Sequence, residues 1–290
     1  MSDFVIVTDS SADLPPEIVS RLELEILPMC FTMEEQTYRN YPDNHDMDPH
    51  AFYEKLRQGG SATTAAVNAA EYTDALEKYL AAGQDVLVLV FSSGLSSTYQ
   101  SAVMAVEDLR EQYPDRKLYA VDTLCASMGQ GLLVSLASDQ RRQGKSIEAV
   151  RDWVEEHKLL LCHQFTVDDL FFLKRGGRIS GATAVVGSML QIKPVLHVDN
   201  EGKLVNIGKA RGRSAALKAL VDKMEQTAIE PEKQTVFISH GDCPQDAQTV
   251  ADLVKERMGV QTVVINNIGP VIGAHSGPGT VALFYLGTQR

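Results

Sequence analysis

The run Val86-Leu-Val-Leu-Val90 constrains the fold more than any other stretch of the chain. A continuous apolar run without polar alternation reads as a buried strand, of the kind that helices cover in a parallel sheet. It passes directly into Phe91-Ser92-Ser93-Gly94-Leu95-Ser96-Ser97, and then into a helical pattern with Tyr99, Ala102, Val103, Val106 and Leu109 on one face. Phe4 to Thr8 is a similar run, ending in Asp9-Ser10-Ser11 and leading to a helix that begins near Pro15. Asn68 followed by Glu71 is a capping-box variant opening a helix that ends near Gly83. Lys117 to Val121 reads as a third strand and Ser127 to Arg142 as a third helix. This alternation predicts a parallel sheet covered by helices.

Leu24 to Thr32 and Gln36 to Tyr41 flank Met33-Glu34-Glu35, which predicts a hairpin or an extended excursion. Beyond a helix near Ser146 to His157 the rhythm changes. Lys193 to Val198 and Lys203 to Gly208 flank the turn Asp199-Asn-Glu-Gly202, an antiparallel pair. Strands at Thr235 to Ser239, Gln261 to Asn266 and Val281 to Leu286 alternate with helices striped by Leu217, Leu220, Val221 and Met224, and by Val250, Leu253, Val254 and Met258. The reading is an α/β protein of two domains: 1–160 with a parallel sheet in three layers, and 161–290 with a mixed sheet and helices on one face.

The composition narrows the function. Of 290 residues, 44% are apolar and 22% charged, as in an ordinary globular protein. Net charge is −11, from 27 basic and 38 acidic side chains, which argues against nucleic acid and against adsorption to anionic membranes. Cys30, Cys125, Cys162 and Cys243 form no Cys-x-x-Cys pair and suit a reducing compartment. The N-terminus lacks a basic leader, and Val86 to Phe91 is too short to span a bilayer, so a soluble cytoplasmic protein without integral membrane association is expected.

Four segments can carry chemistry. Phe91 to Thr98 follows the central strand, where open α/β sheets bind ligands; the helix N-terminus there favours an anion, and Gly94 would let the backbone wrap a carboxylate. One serine acting only as a helix cap is the alternative. Gly60-Ser61-Ala62-Thr63-Thr64-Ala65-Ala66 is small and hydroxylated, a loop with a threonine turn. Ile268 to Gly279 sets His275 among glycines and prolines, where its ring can offer a hydrogen bond or a charge to an anion. Leu173 to Ser180 gathers Lys174, Arg175 and Arg178 around Gly176-Gly177, a site for an anion or a partner, or a solvated turn.

Other patterns lack the context their chemistry needs. Asp43 to His50 resembles a metal cluster, but its histidines have no recognised ligand spacing, and Asp48-Pro49 is an ordinary helix start. Gly144-Lys145-Ser146 lacks the earlier glycine of a phosphate loop, since Asp139 stands there. There is no Gly-x-Ser-x-Gly elbow and no dinucleotide fingerprint.

Taken together, six strings resemble the DegV family over nearly the whole chain: Thr8 to Pro15, Phe91 to Ala102, Asp122 to Gly129, Leu173 to Ser180, Lys193-Pro194 and Gly269 to Ala282. These are fatty-acid-binding subunits that work with a bacterial fatty acid kinase. The resemblance implies a lipid tunnel between the two domains and no cofactor beyond the fatty acid. It also implies a carboxylate held by Thr63 or Thr64, by Ser92 or Ser93 with Gly94, and by His275, and a kinase contact at Arg175. Where Thr-Ser-Gln-Pro is common in the family, this chain has Thr63-Thr64-Ala65-Ala66. On this reading the protein presents its lipid for acyl phosphate formation and completes no chemistry alone. The alternatives are an acyl hydrolase using Ser93 and His275, and a regulatory carrier of another apolar carboxylate.

Overall fold

The computed structural model describes residues 4–179 and 191–290; Ser180, the end of one string named above, lies outside them. In chain order, the first half comprises β1 (Phe4–Asp9), α1 (Pro16–Arg21), β2 (Leu24–Leu27), β3 (Cys30–Met33), β4 (Gln36–Arg39), α2 (Pro49–Arg57), β5 (Ala62–Ala65), α3 (Ala69–Ala81), β6 (Asp85–Val90), α4 (Thr98–Gln112), β7 (Leu118–Asp122), α5 (Met128–Arg142) and α6 (Ile147–His157). The second comprises β8 (Leu161–Thr166), α7 (Leu170–Arg175), β9 (Ile192–Val198), β10 (Leu204–Arg211), α8 (Arg213–Thr227), β11 (Thr235–His240), α9 (Pro244–Met258), β12 (Thr262–Asn267), α10 (Pro270–Ser276) and β13 (Val281–Leu286).

Among the described residues the strands form three sheets. The parallel sheet has order β2-β1-β6-β7, and Val86 to Val90 are fully buried in it, as a strand flanked by helices must be. The mixed sheet has order β10-β9-β8-β13-β11-β12, antiparallel except between β11 and β12.

The third sheet, β4-β3-β5, corrects two expectations. The hairpin at Glu34-Glu35 is present, with both residues at positive φ as a tight two-residue turn requires. The preceding segment, however, does not run on from Leu24. It breaks at Pro28, so that β2 joins the parallel sheet and β3 the small one. Gly60 to Ala66, expected as a loop, instead supplies β5, with Thr63 opposite Thr32 and Thr64 opposite Phe31. Four residues without a wide apolar face carry little strand signal by themselves; their pairing with β3 makes the strand.

A third correction concerns the mixed sheet, expected to carry helices on one face. α8 and α9 cover that face, and α5 packs on the opposite one against β8, β11 and β13 while also touching β1. The close approach depends on Gly129: a Cβ there would fall 2.2 Å from His163 Nε2 and 2.8 Å from a Phe284 ring carbon. Polar anchoring accompanies the packing, since Gln130 Nε2 donates to Thr8 Oγ1 at 2.8 Å and Asp9 Oδ2 at 3.2 Å.

The capping box at α3 is closed from both sides. Asn68 Oδ1 accepts from Glu71 N at 3.0 Å, and Glu71 Oε2 accepts from Asn68 N at 3.0 Å. Asn68→Ala is expected to lower the unfolding free energy by about 1 kcal/mol, read as a lower urea midpoint at unchanged slope; an unshifted midpoint would show that the cap is redundant.

Candidate functional site

A cavity of about 190 Å³ opens where α4, α7, α10 and the faces of β8 and β13 meet. Phe91, Leu95, Phe165, Leu204, Ala282 and Phe284 supply its apolar wall. β8 places His163 and Phe165 on this face because side chains alternate along a strand. The polar wall holds Thr64, Ser96, Ser97, Ser127, His275 and Arg178. No carboxylate is among the described residues that line it, and Arg178 is the only charged side chain there.

His275 reaches the cavity from α10. The Gly/Pro-rich segment forms a two-turn helix here, begun by Pro270 in its first turn and ended at Gly277 with φ +78°. Its Nε2 lies 2.9 Å from Thr64 Oγ1, and its buried Nδ1 has no hydrogen-bond partner among the described residues. Desolvation, reinforced by the Arg178 and Arg175 cations, pushes its pKa from 6.5 down to about 4. The ring is therefore neutral at pH 7 and offers a hydrogen bond rather than a charge. Burial also lowers the pKa of Arg178, whose Nε donates to Leu95 O at 3.2 Å and whose Nη1 donates to Gly176 O.

The other candidates named from sequence fall around this cavity. Thr63 is exposed on the opposite face of β5 from Thr64. Ser92 is buried, donates through Oγ to Gly202 O at 2.8 Å and accepts from Gly94 N at 3.1 Å. Ser93 is exposed, with its N–H donated to Asp122 Oδ1 at 3.1 Å. Gly94 presses on the β9–β10 turn so closely that a Cβ would meet Glu201 O at 2.7 Å. None of these four lines the cavity; Ser92 and Gly94 fasten the loop to the β9–β10 hairpin. The Ser93–His275 pair of the hydrolase alternative is not assembled, since Ser93 stays outside and His275 Nε2 is engaged by Thr64. Arg175 is exposed on α7, its guanidinium 4.9 Å from the Phe172 ring centre.

The lining hydroxyls Ser96 and Ser97 lie later in the same loop, at the start of α4, where Ser97 makes no side-chain cap. Their position immediately before the helix was the available signal. Ser127 was marked only by lying in the string Asp122 to Gly129; it adopts φ 51°, ψ −146°, donates through Oγ to Asp13 Oδ2 at 2.6 Å and lies 2.9 Å from Ser239 Oγ. His163 is neutral, its pKa driven well down by burial, with Nε2 accepting from Ala126 N at 3.2 Å. A histidine directly after the apolar run Leu159 to Cys162 was its only mark.

The metal-like segment near Asp43 resolves into local bonds. His45 Nδ1 is 2.7 Å from Asp43 Oδ1, and Asp48 caps α2 by accepting from Ala51 N at 3.0 Å. His50 instead approaches Glu54 and Asp242, whose carboxylates both accept from Arg57 Nη1, a cation already in place.

Because His275 has its pKa depressed from 6.5 to about 4, the unfolded chain binds a proton there that the folded one does not between those values. Its contribution is therefore fully favourable above pH 6.5 and is lost as pH falls toward about 4. His275→Gln is expected to lose less stability on acidification across that window than the parent. In the parent, NMR should show the His275 ring titrating near 4; a midpoint at or above 6.5 would contradict the buried, neutral placement.

Comparison with known proteins accords with this architecture. Residues 3–288 match the sequence model described as "Uncharacterised protein, DegV family". A DegV domain-containing protein of Clostridium perfringens is 46% identical over 290 residues, covering 100% of this chain and 99% of that one. A DegV lipid-binding protein of Thermotoga maritima superposes with a TM-score of 0.88 at 28% identity, covering 100% of both chains. A DegV protein of Thermus thermophilus, described by its fatty acid binding, gives 0.86 at 29% identity, covering 98% of this chain and 99% of that one. With the model match spanning nearly its full length and a close relative aligned end to end, the chain belongs to the DegV family.

Proposed function

We propose that this protein is a cytoplasmic carrier that binds a long-chain fatty acid in the cavity and presents its carboxylate to a separate ATP-dependent kinase. The observation that carries the reading is the cavity's chemistry: an apolar wall, hydroxyls, a neutral imidazole and the single charge of Arg178. An anionic head finds donors there and meets no competing carboxylate, while its hydrocarbon lies against Phe165, Leu204 and Phe284. Burying ~14 methylenes at about 0.8 kcal/mol each yields roughly 11 kcal/mol gross, enough for tight binding after ordering costs. The fatty acid or lipid named for the Thermotoga and Thermus relatives supports the same ligand class. No helix among the described residues is long and apolar enough to cross a membrane.

Within this reading the lipid lies between a domain of residues 1–160 and one of 161–290. Thr64 and His275 hold the head group with Ser96, Ser97 and Arg178, while Ser92, Ser93 and Gly94 keep the loop in shape and Thr63 supports its strand. Arg175, exposed beside the cavity on α7, is the kinase contact. The phosphoryl group comes from the partner's ATP, so the carrier needs no cofactor of its own.

Thr64→Val with Ser97→Ala is expected to weaken fatty acid binding roughly 10–100-fold, the loss of hydrogen bonds to a charged group. Mass spectrometry of extracted ligand identifies the occupant, and undiminished lipid in the double variant would remove the head-group assignment. Arg175→Ala should keep its lipid and lose most acyl phosphate formation with a cognate kinase; equal turnover by variant and parent would contradict the docking role.

A further inference from the structure

A second, smaller cavity lies on another side of Asp13, lined by Asp9, Asp13, Asn40, Asn44, Asn266 and Asn267 beside Tyr41 and Gly269. Its volume is about 20 Å³, room for one water-sized occupant. No lysine, arginine or histidine is among the described residues that line it. Asn40 is 5% exposed, and its Oδ1 has no hydrogen-bond partner among the described residues. The amide orientation is fixed, because Nδ2 donates to Ser10 O at 3.2 Å. Asn266 likewise donates Nδ2 to Asp13 O, at 2.8 Å. Both amides have thus given an N–H to the backbone, and their remaining capacity includes an acceptor oxygen.

Asp13 brings a carboxylate to the same place. Its left-handed backbone, φ 50°, turns the chain after the short helical turn Ser10–Ala12. Oδ2 accepts from Ser127 Oγ and Oδ1 from Gly269 N at 2.9 Å. A Cβ built on Gly269 would lie 2.8 Å from both Asn40 Oδ1 and Asp13 Oδ1, so the two oxygens converge beside that glycine. Asp9 also lines the cavity, fully buried, its Oδ1 accepting from Ser11 N at 3.1 Å and its Oδ2 from Phe91 N at 2.9 Å and from Gln130 Nε2.

We propose that this cavity is a binding site for a hard divalent cation of calcium size, held by Asp13 Oδ1, Asn40 Oδ1 and the neighbouring asparagine oxygens. Oxygen ligands of mixed carboxylate and amide type, in an irregular arrangement, suit calcium. Magnesium retains several of its waters, and a space this small has no room for them. An ion here supplies the partner that Asn40 Oδ1 lacks. Because Asp13 holds Ser127, and Ser127 lines the larger cavity, the ion would brace the wall of the ligand site without touching the ligand.

Terbium, a luminescent calcium substitute, tests the site directly, since Tyr41 in the cavity wall can sensitise its emission. In the purified full-length protein, terbium emission excited through tyrosine should be displaced by calcium chloride and not by sodium chloride at matched ionic strength. Asn40→Ala and Gly269→Ala should each weaken that signal roughly 10–100-fold; the second keeps every ligand and places a methyl group between the oxygens. Asp43→Asn, at the exposed carboxylate near Tyr41, and Glu54→Gln, in the surface cluster, should leave it unchanged. Calcium should also raise the thermal midpoint of the parent, a readout independent of any variant's folding. No calcium-displaceable emission, displacement by sodium instead, or emission that survives Gly269→Ala but vanishes in Asp43→Asn would overturn the proposal, leaving water as the occupant or the surface as the binder.

Discussion

The structure depends on one helix buried between two sheets. α5 packs on β1 and on β8, β11 and β13, and its residues Met128 to Val134 are almost wholly inaccessible. A helix can occupy such a place because its backbone polar groups are satisfied within the helix itself. Its start is less easily satisfied. Ala126 N is taken by His163 Nε2, and Ser127 is held by Asp13 and Ser239, one from each half of the chain. Ala126 and Ser127 line the larger cavity, and Asp13 adjoins the smaller. The position of this helix thus sets both spaces, and a change that moved it would alter both.

Charge is distributed against the overall balance of the molecule. The chain carries −11, yet the larger cavity presents Arg178 and no carboxylate among its described lining. A carboxylate entering it leaves an acidic exterior for a wall of donors, where low dielectric strengthens each bond. Keeping His275 neutral avoids burying a second cation in the absence of an anion. The smaller cavity has the reverse character, oxygen-rich with no cation among its described lining residues. Asp13, which lines the smaller cavity and holds Ser127 in the wall of the larger, is where the two chemistries meet.

Much of the frame was legible along the chain. The continuous apolar run at Val86 to Val90, the Asn68–Glu71 cap and the Asp199–Gly202 turn are local signals, each satisfied within a few residues, and each appears where its pattern placed it. The site was legible in part. Thr64 and His275, far apart in sequence, stand 2.9 Å apart. The serines were assigned to the wrong end of their loop as regards the cavity: Ser92 and Ser93 looked as suitable as Ser96 and Ser97 because composition does not say which way a loop turns. Gly202 O decided it, capturing Ser92 Oγ from a hairpin more than a hundred residues later.

Sequence alone determined the elements whose stability is local, the scattered placing of the four cysteines, the acidic balance and the family. Tertiary structure alone decided which hydroxyls line the larger cavity, that β5 is a strand, that α5 covers the far face of the mixed sheet, and that an asparagine at position 40 has an oxygen without a partner among the described residues. The physical reason is range. Periodicity, capping and turn chemistry act between residues three or four apart, whereas a side chain's surroundings, and with them its pKa and its free valences, are set by segments that meet only after the whole chain has folded.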